Sequence, residues 1–149
     1  MKKILIGLML FIIVMFLIIF SQAEEKYAKG GSYSSDIQLL ARAINGEARG
    51  ESYEGQVAVG AVILNRVKSP QFPNTISGVI YQPWAFTAVN DGQIKLEPNQ
   101  TAYKAAQDAM NGWDPSYGCL YYYNPKTATS KWIWSRKTVV TIGKHVFAV

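Results

Sequence analysis

The residues best suited to chemistry gather in one short stretch, Asn45-Gly46-Glu47-Ala48-Arg49-Gly50-Glu51, with Glu54 close behind it. Glu47, Arg49, Glu51 and Glu54 place ionisable groups around a turn flanked by glycines. A glutamate at a helix end, beside an apolar face, is one that desolvation can keep protonated toward neutral pH, as a general acid requires. Glu47 is the candidate acid. The same residues also fit a plain salt bridge between Glu47 and Arg49 on a solvated turn. Glycines at 46, 50 and 55 are costly in helical segments, and close approach of a bulky ligand to the backbone is one reason to keep them.

A second supply of chemistry is aromatic. Trp84, Phe86, Trp113, Tyr121, Tyr122, Tyr123, Trp132 and Trp134 are interspersed with Gln82, Asn90, Asp91, Gln93 and Asn124. Sugars need that pairing, because their apolar ring faces stack on aromatics while hydroxyl and acetamido groups bond amides and carboxylates. Core packing claims most of these rings, so only a few are expected to line a groove.

These residues must be carried by a small set of elements. Ser34 or Ser35 can cap a helix whose apolar positions Ile37, Leu40, Ala41 and Ile44 follow the i, i+3, i+4, i+7 rule. Glu47 falls on the border of that stripe, where a carboxylate can face a cleft. Gly50 stops the helix, and Ser52 caps a second one through about Arg66. Ala58, Val59, Ala61, Val62 and Ile63 make this second helix nearly free of charge, as befits the hub of a core. Thr75 to Tyr81 reads as a short helix, and Asn99 caps a longer one ending at Asn111-Gly112. Leu120 to Tyr123, Trp132 to Trp134, and Thr138 to Ile142 with His145 to Val149 across Gly143-Lys144 are β-branched and aromatic runs. They predict a small antiparallel sheet ending in a hairpin, so the fold class is α+β.

Composition narrows the function. The 149 residues are 49% hydrophobic and 17% charged, enough for one compact domain and too few for two ordinary ones. A net charge of +5 favours anionic partners without marking a nucleic-acid binder. Cys119 and His145 are the sole cysteine and histidine, too few for a structural zinc or a disulfide framework, and no metal or other cofactor is expected. A cysteine peptidase or amidase would need these two as its nucleophile pair, and nothing around Cys119 activates it. No Gly-x-Ser-x-Gly elbow, phosphate loop or dinucleotide fingerprint is present. At the N-terminus, Lys2 and Lys3 precede an apolar run from Ile4 to Phe20, then Ser21-Gln22-Ala23. Residues 1–23 are expected to be an export signal, cleaved after Ala23 or retained as a membrane anchor. Residues 24–35 are expected to be a polar, Gly/Ser-rich linker, and 36–149 the folded domain, working outside the cytoplasm.

A specific resemblance joins these features. Gly46-Glu47-Ala48-Arg49-Gly50-Glu51, Glu54-Gly55-Gln56-Val57-Ala58-Val59, Ala61-Val62-Ile63-Leu64-Asn65-Arg66-Val67 and Ala85-Phe86-Thr87-Ala88 resemble the SleB/CwlJ-type cell wall hydrolases, the spore cortex-lytic enzymes. Asn111-Gly112-Trp113-Asp114-Pro115, Ala128-Thr129-Ser130-Lys131-Trp132-Ile133-Trp134-Ser135-Arg136 and Ile142-Gly143-Lys144-His145-Val146-Phe147 extend the likeness, which covers about Ile37 to Val149. The resemblance implies a lysozyme-related module, acting as a monomer, that cuts the MurNAc–GlcNAc bond of peptidoglycan, in the best-known members by lytic transglycosylation of spore cortex. It carries the catalytic role to Glu47. A transglycosylase can use one glutamate as acid and then base, with the MurNAc C6 hydroxyl as nucleophile, whereas hydrolysis calls for a second carboxyl. Glu51 and Asp91 are the candidates for that second group. Arg49, Asn65, Thr87, Tyr122, Asn124 and Trp132 are candidates for orienting sugar rings. No separate wall-binding region is expected before the module, so the resemblance does not choose between spore cortex and vegetative wall. A non-catalytic peptidoglycan-binding protein would use the same aromatic groove without needing Glu47.

Overall fold

The computed structural model describes residues 2–149, with side chains described at 12–19 and 32–149. The chain divides into two compact units, the second being Asp36–Val149. Helix α1 (Lys2–Ala48) enters this second unit at Asp36. The expected export segment at 1–23 and linker at 24–35 fall within α1, and lie for the most part outside the residues whose side chains are described. Among the described residues no helix is long and apolar enough to cross a membrane.

Neither Ser34 nor Ser35 starts a helix, because α1 runs through both, and the Ser35 hydroxyl donates back to the Ser32 carbonyl at 2.8 Å. The expected apolar stripe holds. Ile37, Leu40, Ala41 and Ile44 are all buried, and Glu47 is half-buried at its border. Helix α2 (Tyr53–Lys68) begins at Ser52, whose hydroxyl accepts from the Gly55 N–H at 3.2 Å. Nine consecutive residues from Gly55 to Ile63 are buried, so α2 has no solvent face over that length. It packs on α3 (Ile76–Ile80), α5 (Gln100–Met110) and β1 (Tyr121–Tyr123). Gly60 makes one of these crossings possible, since a Cβ there would meet Ile44 Cδ1 at 2.8 Å and Ala109 Cβ at 3.3 Å. Thr75 and Asn99 cap α3 and α5 through their side chains.

Two short helical turns between α3 and α5 carry no strong pattern in the sequence. Helix α4 (Thr87–Asn90) follows Phe86, and a 3₁₀ turn (Gln93–Lys95) follows Gly92, whose φ of +84° suits glycine. Helix α6 (Lys131–Trp134) replaces the strand expected at Trp132 to Trp134. Its aromatic residues stand out to pack on the sheet rather than to pair in it: Trp132 meets Tyr121 edge-on at 5.0 Å and Trp134 meets Tyr123 at 5.2 Å.

The sheet has three antiparallel strands in the order β1-β3-β2, with β2 (Thr138–Ile142) and β3 (His145–Ala148) forming the expected hairpin. β3 is central, pairing Tyr122 with Phe147 on one side and Val140 with Phe147 on the other. The architecture is mostly helical with this small sheet, in line with the α+β expectation. One apolar cluster lies among α1, α2, α3 and α5, and a second joins Ala48, Ala58, Val59 and Val62 to Cys119, Ile142 and Phe147 of the sheet side.

The approach of α4 to the end of α1 depends on Gly46, because a Cβ there would collide with the Ala88 side chain. Gly46→Ala is expected to destabilise the domain by about 1–3 kcal/mol, the usual cost of overpacking a tight contact. Urea melts of the two proteins decide this, and equal midpoints would contradict it.

Candidate active site

Glu47 stands where three elements meet. It is the penultimate residue of α1, its Oε1 accepts the backbone N–H of Ala88 in α4 at 2.7 Å, and its Oε2 accepts the hydroxyl of Tyr122 in β1 at 2.9 Å. Both oxygens are thus aimed by donors from outside its own helix. Tyr122 is a dependable donor. Burial above all, then the Glu47 charge and its hydrogen bond, push the phenol well above its ordinary value, so it stays protonated.

Beyond Tyr122 opens a cleft of about 400 Å³, lined by residues that include Arg66, Phe72, Trp84, Tyr121, Tyr122 and Trp132. Trp84 is 85% exposed and holds a left-handed backbone with φ of +63°, a conformation costly for a bulky side chain. Trp132 is half exposed, and the Arg136 guanidinium lies 4.7 Å from its ring centroid. The cleft therefore offers two indole rings, and Tyr122 links its lining to Glu47.

The other expected site residues divide. Thr87 is exposed at the start of α4, next to the amide that holds Glu47. Arg49 is exposed just past α1, near enough to Asp91 to help hold its carboxyl down. Asp91 is occupied locally: it accepts the Gln93 N–H at 3.0 Å and the Gln93 side-chain amide at 2.7 Å, which lower its pKa. Glu51 accepts the Lys144 N–H at 3.0 Å and lies against Gly143, so it clasps the β2–β3 turn. Asn65 faces away from the Glu47 group and donates to Asp114 at 2.9 Å and to the Cys119 carbonyl at 3.1 Å. Asn124 organises its own turn by accepting the Lys126 N–H at 2.9 Å.

The glycine signal also has a structural reason. Gly46 admits Ala88 and Gly55 faces Glu51 Cβ at 3.2 Å, both packing contacts within the domain, while a Cβ on Gly50 would meet nothing within 4 Å. The Cys119–His145 pairing fails on burial. Cys119 is fully buried and its thiol is pushed up to about 11, by burial first and by Asp114 second.

Two residues near Glu47 escaped the sequence reading. Arg66 lines the cleft, and the signal for it was a cation close behind the uncharged run Val57 to Leu64 of α2. His145, in β3, packs edge-on against Tyr122 at 5.1 Å. Burial lowers its pKa, while the Glu51 and Glu47 charges oppose that shift.

Comparison with known proteins gives the fold its relatives. The family described as Cell Wall Hydrolase matches residues 50–148, a span that begins just past Glu47. The spore cortex-lytic enzyme of Bacillus subtilis is 64% identical over 118 residues, covering 79% of this chain and 39% of that protein. The chain therefore spans well under half the length of that relative. The catalytic domain of the Bacillus cereus SleB protein superposes with a TM-score of 0.75 at 66% identity, covering 78% of this chain and 91% of that one. The catalytic domain of the germination-specific lytic transglycosylase SleB from Bacillus anthracis gives 0.74 at 66% identity, covering 76% and 93%.

Because His145 is the only histidine, its titration can be followed alone. Its imidazole proton signals in NMR are expected to shift with a midpoint below the ordinary value of about 6.5. The stability it contributes is complete above that ordinary value and is lost as pH falls through the folded-state pKa. A midpoint at or above the ordinary value would contradict the burial argument.

Proposed function

The chain belongs to the cell wall hydrolase family, and from that membership we propose that it cleaves the glycosidic bond between MurNAc and GlcNAc in peptidoglycan, as a lytic transglycosylase with Glu47 as its single acid and base. The observation that carries this reading is the Glu47 carboxylate, held at one oxygen by Ala88 and at the other by Tyr122, which itself lines an aromatic cleft. Preorganised donors fix where the proton is delivered, which is much of what a general acid needs.

In the acid step, protonated Glu47 gives its proton to the glycosidic oxygen, and the GlcNAc O4 leaves with it. In the base step, the Glu47 carboxylate takes the proton of the MurNAc C6 hydroxyl as that oxygen bonds to C1, which closes a 1,6-anhydro ring and restores protonated Glu47. No second carboxylate is required. The ties of Glu51 to the hairpin and Asp91 to its own turn favour this route over a two-carboxylate hydrolysis. The naming of the Bacillus anthracis neighbour as a lytic transglycosylase supports the same choice.

Trp84 and Trp132 supply stacking faces for the sugar rings, and Thr87 and Arg49, at the ends of the elements that carry Ala88 and Glu47, are placed to meet the strand. The relatives named as spore cortex-lytic enzymes point to cortex as the form of peptidoglycan attacked. That substrate lies outside the cytoplasm, so the apolar segment within 1–23 serves export.

With purified chain on cortex and vegetative peptidoglycan, mass spectrometry should find anhydro-muramic ends, and Glu47→Gln should slow their release by about 10²–10⁴-fold. Reducing ends would make the enzyme a hydrolase, and absence of release with strands still bound would make the protein a binding module. Trp84→Ala, at an exposed position, should leave melting unchanged and raise KM about two- to tenfold. An unchanged KM would remove Trp84 from the substrate path.

A further inference from the structure

Arg66 is a cation packed among rings, with no salt-bridge partner among the described residues, although the Glu47 charge is near enough to act on it. Its Nε donates to the Leu120 carbonyl at 2.8 Å, and its guanidinium carbon lies 5.1, 5.3 and 5.7 Å from the ring centroids of Phe72, Phe86 and Tyr121. Among the described residues, no carboxylate pairs with it and its two terminal nitrogens have no acceptor. Arg66 is one of the residues lining the cleft beyond Tyr122. Cation–ring contacts and one bond to a carbonyl hold the group in place and leave its terminal donor edge free of protein acceptors, so a ligand acceptor can take it.

A glycan strand of peptidoglycan presents one group that answers such an edge. Both of its sugars carry an acetamido carbonyl, but only the muramyl sugar carries a lactyl arm ending in an acyl carbon. That acyl oxygen is a carboxylate where the arm is free and an amide carbonyl where a peptide is attached. A guanidinium edge accepts either, and grips a carboxylate with two parallel bonds. We propose that Arg66 is a specificity-determining residue that hydrogen-bonds the acyl oxygen of the muramyl lactyl arm, and so seats the muramyl sugar in the cleft next to Tyr122. This rests on the peptidoglycan reading above. It fixes the register of the strand past Glu47, because a strand shifted by one sugar would leave Arg66 facing a residue without the arm.

The test uses binding, with cleavage blocked, on the full chain carrying Glu47→Gln. Three strand preparations of equal length serve as probes: peptide-bearing, peptide-free with the lactyl carboxylate exposed, and peptide-free with that carboxyl chemically reduced to the alcohol. Arg66→Gln should lower affinity for the first two by at least tenfold and for the reduced strand by less than twofold. Arg66→Lys should recover part of the affinity for the carboxylate strand alone. A carboxylate as the main ligand shows as a preference for peptide-free strands that weakens with salt, and an amide carbonyl as equal, salt-insensitive affinity for both. Equal losses on all three strands, or none on any, would make Arg66 a prop of the aromatic cage and overturn the proposal. If Arg66→Gln does not fold, Arg66→Lys decides: loss on the peptide-bearing strand with the reduced strand unaffected supports the assignment, and no difference overturns it. Failure of the unmutated chain to release muropeptides would instead sink the glycosidase reading, and it leaves the binding comparison to stand by itself.

Discussion

The carboxylate of Glu47, suspended between the Ala88 amide and the Tyr122 hydroxyl, is the contact on which the site depends. It joins the end of α1 to α4 and to β1, three elements separated by long stretches of chain. Each partner is present for a packing reason of its own. Ala88 arrives because Gly46 leaves room for it, and Tyr122 arrives because β1 is paired to β3 in a register that sets it opposite Phe147. The chemistry is thus assembled by two ordinary constraints, a missing side chain on a helix and a strand register. Losing either would leave the glutamate in the sequence but not in the geometry.

The framework around that contact is built on α2. A helix buried on all sides over Gly55 to Ile63 can serve both apolar clusters at once, the helical one and the one beneath the sheet. Its last turn emerges from that burial, and Asn65 and Arg66 appear there. Asn65 ties down the loop between Asp114 and Cys119, and Arg66 reaches the Leu120 carbonyl just ahead of β1. The exit of the hub helix therefore anchors the chain leading into the strand that carries Tyr122.

Much of this was legible beforehand. The stripe on α1, the caps at Ser52 and Asn99, the short helix after Thr75 and the Gly143-Lys144 hairpin are local signals that survive into the structure, whereas the cap at Ser34 or Ser35 does not, because α1 runs through both. The other failures were tertiary. Trp132 to Trp134 has strand-like composition, yet its rings are called on to cover Tyr121 and Tyr123 from outside the sheet, which a helical turn allows. Helix α4 is only four residues long and has no periodicity to detect. For the site, the glutamate was visible from its setting between glycines, but Gly46 and Gly55 serve packing, and Glu51, Asp91, Asn65 and Asn124 all make structural bonds that no one-dimensional pattern distinguishes from ligand contacts. Arg66 was hidden for the opposite reason. Its surroundings come from Phe72, Phe86 and Tyr121, which only the fold brings together.

The central position of β3 has a consequence for how the molecule comes into being. β1 precedes β2 and β3 in the chain, yet it bonds only to β3, so during synthesis it waits without a strand partner until His145 to Ala148 have been made. Tyr122 cannot be set against Glu47 before then. A nascent chain would hold its glutamate but not the donor that orients it. The order of the strands acts as a timer, delaying assembly of the Glu47 group until β3 has been made.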